Sequence, residues 1–242
     1  MRGISYFVLT AAVALGQQGE RTFTFSELRT VREINEAATV IRSTGEIRGL
    51  KLDDSGTAVH VTGDPAQIEL AEWLVKRLDR TSKTSSPVPH PLDYRSLRGG
   101  SPLVRVLYFK NTESTQERNE MATVIRSLVQ IPSLFLSLAA GAVVMRGTAE
   151  QADAATWVFQ ALDKKGMGGT EESYRVAGGG DDTIRLFSLP QASSTQRLNA
   201  IAIAVRSTTQ APLFFPYTPR RIILVRGRQE LMERTANALK ER

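Results

Sequence analysis

Cysteine is absent from the 242 residues. Without it there is no disulfide framework, thiolate metal site, cysteine nucleophile or lipid-modified N-terminal cysteine. Histidine is almost absent: only His60 and His90 occur, thirty positions apart, with no third histidine near either. A catalytic zinc site draws on about three protein ligands, so neither a metal nor any other cofactor is expected. Charge of one sign is never concentrated. The 31 basic and 25 acidic residues leave a formal net charge of +6, scattered along the chain without a run of five like charges. A nucleic-acid surface calls for a basic stripe with interleaved aromatics, which is missing here. Catalytic signatures are lacking too: there is no nucleophile elbow, phosphate loop or paired-carboxylate arrangement. Asp53-Asp54 and Asp181-Asp182 are loop pairs with no counterpart elsewhere. No catalytic residue is assigned, and the protein is not expected to be an enzyme.

Near the N-terminus an uncharged, mostly apolar run extends from Ile4 to Leu15. Its 12 residues fall short of the about 20 that span a bilayer. Arg2 precedes it, and Ala14-Leu15-Gly16 supplies small residues where a signal peptidase cuts. Residues 1–16 therefore read as an export signal cleaved near Gly16.

Internal repetition is the strongest signal present. Ala38-Thr39-Val40-Ile41-Arg42-Ser43 recurs as Ala122-Thr123-Val124-Ile125-Arg126-Ser127, and more loosely as Ala202-Ile203-Ala204-Val205-Arg206-Ser207. The same offsets, 84 and then 80, carry Asn35 onto Asn119 and Asn199, and Gly63 onto Gly147 and Gly227. Each copy opens on a short strand: Phe23-Thr24-Phe25, Leu107-Tyr108-Phe109 or Phe187-Ser188-Leu189. An amphipathic helix follows; Ile34, Ala37, Ala38 and Ile41 mark its inner face in the first copy. Two strands come next, the second being Ala58–Val61, Ala142–Met145 or Ile222–Val225. It stops at the shared glycine, where a turn geometry is expected. A second helix closes the unit, capped by Asp64 with Pro65 and Gln67, and by Thr148 with Gln151. Its buried stripe is predicted as Ile68, Ala71, Val75 and Leu78, then Ala152, Ala155, Phe159 and Leu162, then Met232, Thr235 and Leu239.

The fold class is thus α+β, with three tandem βαββα modules over residues 17–80, 103–164 and 183–242. Residues 81–102, rich in Pro and Ser, and 165–182, rich in Gly, are predicted as linkers. Units this short bury little surface alone and gain by docking in series.

Ile223-Leu224-Val225-Arg226-Gly227, followed by a helix ending in Ala-Leu, resembles the small periplasmic repeat modules of bacterial secretins, the NolW-like N-terminal domains. So does Val144-Met145-Arg146-Gly147-Thr148-Ala149-Glu150-Gln151, with Leu162-Asp163 at the helix end. Secretins are outer-membrane channels of type II and III secretion and of type IV pilus systems. The resemblance covers three modules, while the long β-rich pore of secretins has no counterpart before Arg242. It implies a periplasmic location, a scaffolding role in a secretion or pilus complex, and lateral packing into a ring. Partners would be envelope and secretion-system proteins, with membrane contact only through a partner.

Trp73 and Trp157 share a repeat position, about 140° around the helix from the buried stripe. Asn237 replaces them in the third copy. A tryptophan there either rests on its own helix, as on Leu70 and Leu74, or docks onto the following module or a partner. Asn35 with Arg42, Asn119 with Arg126, and Asn199 with Arg206 each lie seven residues apart on one helix side. They either satisfy local backbone or form a recurring contact line. Gly166-Met167-Gly168-Gly169 superficially matches the Gly-x-x-Gly loop of KH domains, but lies in a linker rather than between helices. A KH-like nucleic-acid-binding protein is one alternative, and an envelope module for peptide or glycan is another.

Overall fold

The computed structural model describes residues 18–81, 92–95, 102–166 and 171–242. The export segment 1–16 lies outside the described residues, as do parts of both linkers. The described residues up to Asp79 form one compact unit and those from Arg80 on another.

In the first unit β1 (Gly19–Thr24), α1 (Val31–Gly45), β2 (Gly49–Leu52), β3 (Ala58–Gly63) and α2 (Pro65–Leu78) make one βαββα module. Its antiparallel sheet runs β1-β3-β2. Period-two alternation sends Phe23, Leu50, Val59 and Val61 into the core, while Thr22, Thr24 and Lys51 stay exposed. Residues Ile34, Ala37, Ala38 and Ile41 of α1 are buried as the periodicity predicts. In α2 the stripe is broader than predicted: Leu70 and Leu74 are buried, and Ile68 stands only half-buried.

The second unit holds two modules. The first comprises β4 (Leu92–Tyr94), β5 (Leu103–Tyr108), α3 (Thr115–Val129), β6 (Ser133–Ser137), β7 (Ala142–Gly147) and α4 (Ala149–Leu162). The second comprises β8 (Ser173–Arg175), β9 (Thr183–Ser188), α5 (Thr195–Thr209), β10 (Leu213–Tyr217), β11 (Ile222–Gly227) and α6 (Gln229–Lys240). Their antiparallel sheets run β4-β5-β7-β6 and β8-β9-β11-β10. The predicted linkers are therefore not mere spacers, since each contributes an edge strand. The opening strands also begin four residues earlier than their aromatic ends suggested.

Three devices recur at the repeat spacing. Each first helix ends on a left-handed residue that is not glycine: Glu46 (φ 53), Gln130 (φ 58) and Gln210 (φ 53). That conformation costs about 1–2 kcal/mol without glycine. The next residue, Ile47, Ile131 or Ala211, is buried; for Ile47 and Ile131 the backbone N–H returns to the helix, on Arg42 and Arg126. The second device is the capping box. Gln67 and Gln151 accept from the Asp64 and Thr148 N–H groups through Oε1, and donate through Nε2 to the carbonyls of Glu46 and Gln130. One side chain so joins the start of the second helix to the end of the first.

This explains the shared glycine differently from the sequence. Gly63, Gly147 and Gly227 do not adopt positive φ. A Cβ at Gly63 would lie 2.7 Å from Gln67 Oε1, and one at Gly147 2.8 Å from Gln151 Oε1. At Gly227 it would meet Leu231 Cδ2 at 2.6 Å. Close approach, rather than turn geometry, selects glycine there.

The third device is an aspartate past the second helix. Asp79 accepts from the backbone N–H groups of Ser26, Glu27 and Leu28, at 2.8–3.1 Å. Asp163 does the same for Lys110, Asn111 and Thr112, at 2.7–3.0 Å. Each carboxylate locks the loop that leads into the first helix of its module.

Candidate functional site

The face most plainly built for contact is the outer surface of the α3–α4 pair. α3 packs against β6 of its own sheet on one side and against β10 and β11 of the next module on the other. The cluster that contains Val124, Leu128, Val129, Ala154, Val158 and Ala161 continues into Ile184, Leu186, Tyr217, Ile222 and Leu224 of the third module. The opposite face of that sheet carries Phe187, Phe214, Ile223 and Val225 into its own core with α5 and α6. The sheet β8-β9-β11-β10 is thus apolar on both faces. That is why Ile222–Val225 is an unbroken apolar run while Ala58–Val61 is interrupted by His60.

Polar contacts fix the register of the docking. Thr218 donates its N–H (2.7 Å) and its hydroxyl (3.0 Å) to the carboxylate of Glu120 in α3. Arg226 donates through Nη1 to the carbonyls of Leu128 (3.2 Å) and Val129 (3.1 Å), the last residues of α3. Its remaining fork holds Asp182 at 2.7–2.8 Å. Arg220, 7% exposed, donates through Nη1 to the Ala161 carbonyl and through Nε to that of Gly166. Two arginines of one module therefore close the carbonyl ends of both helices of the other, where the helix dipole is negative. Burial pulls the Arg220 pKa below the usual guanidinium range. Tyr217, 1% exposed, has its phenol pushed above its usual value, first by burial and then by Glu117, Glu120 and Asp163.

Trp157 lies half-buried against this cluster, its ring 5.5 Å from Tyr174 of β8 at an interplanar angle of 30°. Trp73 is half-buried with the Arg77 guanidinium 5.5 Å over its ring. Arg42 donates to the Leu50 carbonyl (2.8 Å) and Arg126 to that of Leu134 (2.6 Å), tying each first helix to its own sheet. Arg206 is exposed at the same place in α5. Asn35, Asn119 and Asn199 are exposed; the Asn119 amide donates to the Thr115 carbonyl at 2.9 Å. Among the described residues neither the asparagines nor these arginines make the polar contacts between the second and third modules given above. Those fall to Glu120, Thr218, Arg220 and Arg226, which the repeat comparison did not single out because they are not shared by all three copies. Gly166, first residue of the Gly-x-x-Gly stretch, spends its carbonyl on Arg220. Among the described residues no group of three or more His, Asp or Glu could hold a metal, and no helix is long and apolar enough to cross a membrane.

No family model matches the chain, and no curated protein matches it. Among solved structures, the chain is similar to the secretin GspD in the ETEC pilotin–secretin AspS–GspD complex, at 13% identity and a TM-score of 0.24, over 93% of this chain and 37% of that one. It is similar to Aeromonas hydrophila ExeD at 12% identity and a TM-score of 0.22, over 93% and 41%. A third likeness, to XcpQN012, has 13% identity and a TM-score of 0.26, over 93% of this chain and 98% of that one. The chain thus spans less than half the length of the first two.

Proposed function

We propose that this is an exported, non-catalytic scaffold whose modules hold one another and a larger envelope complex together, contributing to assembly of a secretion or pilus system. One observation supports this above the others: an apolar helix-pair face with no chemistry of its own is covered by the sheet of the following module and pinned by Glu120, Arg220 and Arg226. That is the construction of an interaction protein, with burial supplying the energy and a few charged groups the register. The secretin-like Val-Arg-Gly and Met-Arg-Gly runs point to the bacterial periplasm as its place. On this reading the exposed Asn35, Asn119 and Asn199 line offers contacts for lateral packing, and Trp73 and Trp157 serve docking.

Expression of the tagged protein in its native host, cell fractionation and crosslinking in place test the proposal. Recovery in the periplasm crosslinked to secretion or pilus components is the expected result. Recovery in the cytoplasm with nucleic acid would overturn it.

A further inference from the structure

Among the described residues β1 pairs with β3 alone and forms an edge of its sheet. In the other two modules the equivalent strand has a second antiparallel neighbour, β4 on β5 and β8 on β9. The two registers coincide under the repeat, with Tyr94 facing Val104 and Tyr174 facing Ile184. All three modules also place an arginine here, Arg21, Arg105 and Arg185.

In both filled edges that arginine takes a carboxylate from the added segment. Arg105 receives Asp93 of β4 in a two-pronged pair (Nε at 2.6 Å, Nη2 at 2.8 Å), with Asp153 of α4 at 2.7 Å on its other side. Arg185 receives Glu171, two residues before β8, at 2.7 Å. Arg21 has the helix-side half of the arrangement, an ion pair with Glu72 of α2. Its side chain is 40% exposed, against 7% for Arg105 and 28% for Arg185. The ladder from Gly19 to Thr24 is continuous and contains no proline, so the edge lacks the usual blocks to further pairing apart from its charges.

We infer that the β1 edge is a docking site for an extended segment of a partner protein, laid antiparallel with a carboxylate against Arg21. The occupant comes from another kind of chain: apart from β1 itself, whose Glu20 adjoins Arg21, this chain offers no uncommitted strand that carries a carboxylate. Residues 1–18 contain no Asp or Glu. The outer strands β2, β6 and β10 read Gly-Leu-Lys-Leu, Ser-Leu-Phe-Leu-Ser and Leu-Phe-Phe-Pro-Tyr, without a carboxylate. Asp93 and Glu171 are committed to the arginines of their own modules. Main-chain pairing supplies the affinity, and the carboxylate opposite Arg21 the selectivity. The inference does not depend on the location or the complex proposed above.

The test is an NMR titration of the full chain with a synthetic peptide copying residues 90–96, His-Pro-Leu-Asp-Tyr-Arg-Ser. Saturable shifts confined to residues 19–24 and their β3 partners are expected. Affinity should fall about fivefold when the peptide carries Asp93→Asn, and by a similar factor for Arg21→Gln protein, the scale of one exposed ion pair. The peptide variant leaves the protein untouched, so a folding defect cannot mimic the result. Absence of shifts at residues 19–24, shifts only along residues 103–108, or equal binding of the Asn peptide would each overturn the inference. Concentration-dependent pairing of β1 with a second copy, seen by sedimentation, would overturn it as well.

Discussion

The second and third modules share a backbone plan but present opposite helix surfaces. On α3–α4 the outward positions are Glu120, Val124, Leu128, Ala154 and Trp157, all covered or half-covered. The repeat equivalents on α5–α6 are Ala200, Ala204, Thr208, Arg234 and Asn237, most of them exposed. A face that must leave water is apolar, with one carboxylate aimed at a fixed donor. A face that stays wet has no such requirement. At these positions the first module has Glu36, Val40, Leu70 and Trp73, close to the types found in the second, and Thr44, as in the third. The covered and the wet face of the second and third modules are therefore set by side chains on one helix pair while the fold stays constant.

The largest break in that contrast should come from charging it. Leu128→Asp, in the covered face, is expected to cost about 4 kcal/mol of stability by urea unfolding, whereas Thr208→Asp at the equivalent place should stay within about 0.5 kcal/mol. Equal effects at both sites would end the distinction between the faces. Next in size is the aromatic. Trp157→Ala should cost about 2 kcal/mol and expose residues 173–175 to proteolysis, while Asn237→Ala should do neither. Glu120→Ala leaves the Thr218 donors unpaired and should cost about 1–2 kcal/mol, visible as faster amide exchange at Thr218.

The smallest effect depends on pH. Tyr217 has a raised pKa in the folded chain, from an ordinary value of 10.0, because burial disfavours its phenolate. Its contribution is complete below about pH 10 and is lost as pH rises further, since the unfolded chain then releases the proton more readily. Urea midpoints should fall more steeply above about pH 10 in the wild type than in Tyr217→Phe. Parallel curves would remove Tyr217 from the account.

Much of this was legible in the residues. Repetition at offsets 84 and 80, the capping pairs Asp64–Gln67 and Thr148–Gln151, and the stripe Ala152, Ala155, Phe159 and Leu162 all rest on local periodicity, which needs no partner to be read. The edge strands β4 and β8 were not legible. Three-residue strands in Pro-, Ser- and Gly-rich surroundings have no period of their own, and their pairing is fixed by Arg105 and Arg185 from elsewhere in the chain. The docking face was half legible. The unbroken run Ile222–Val225 signals a strand buried on both sides, but not what buries its second face.

The sequence by itself determined the module, its count and its caps, because helix and strand periods, cap chemistry and close-packed glycines act over a few residues. Tertiary structure alone decided that the sheet of the third module covers the helix pair of the second. It turned Arg220 and Arg226 from scattered positive charges into clasps on the ends of α3 and α4. Those roles depend on groups about 54 to 98 residues away, and hydrogen-bond geometry over that separation is set only once the chain has folded.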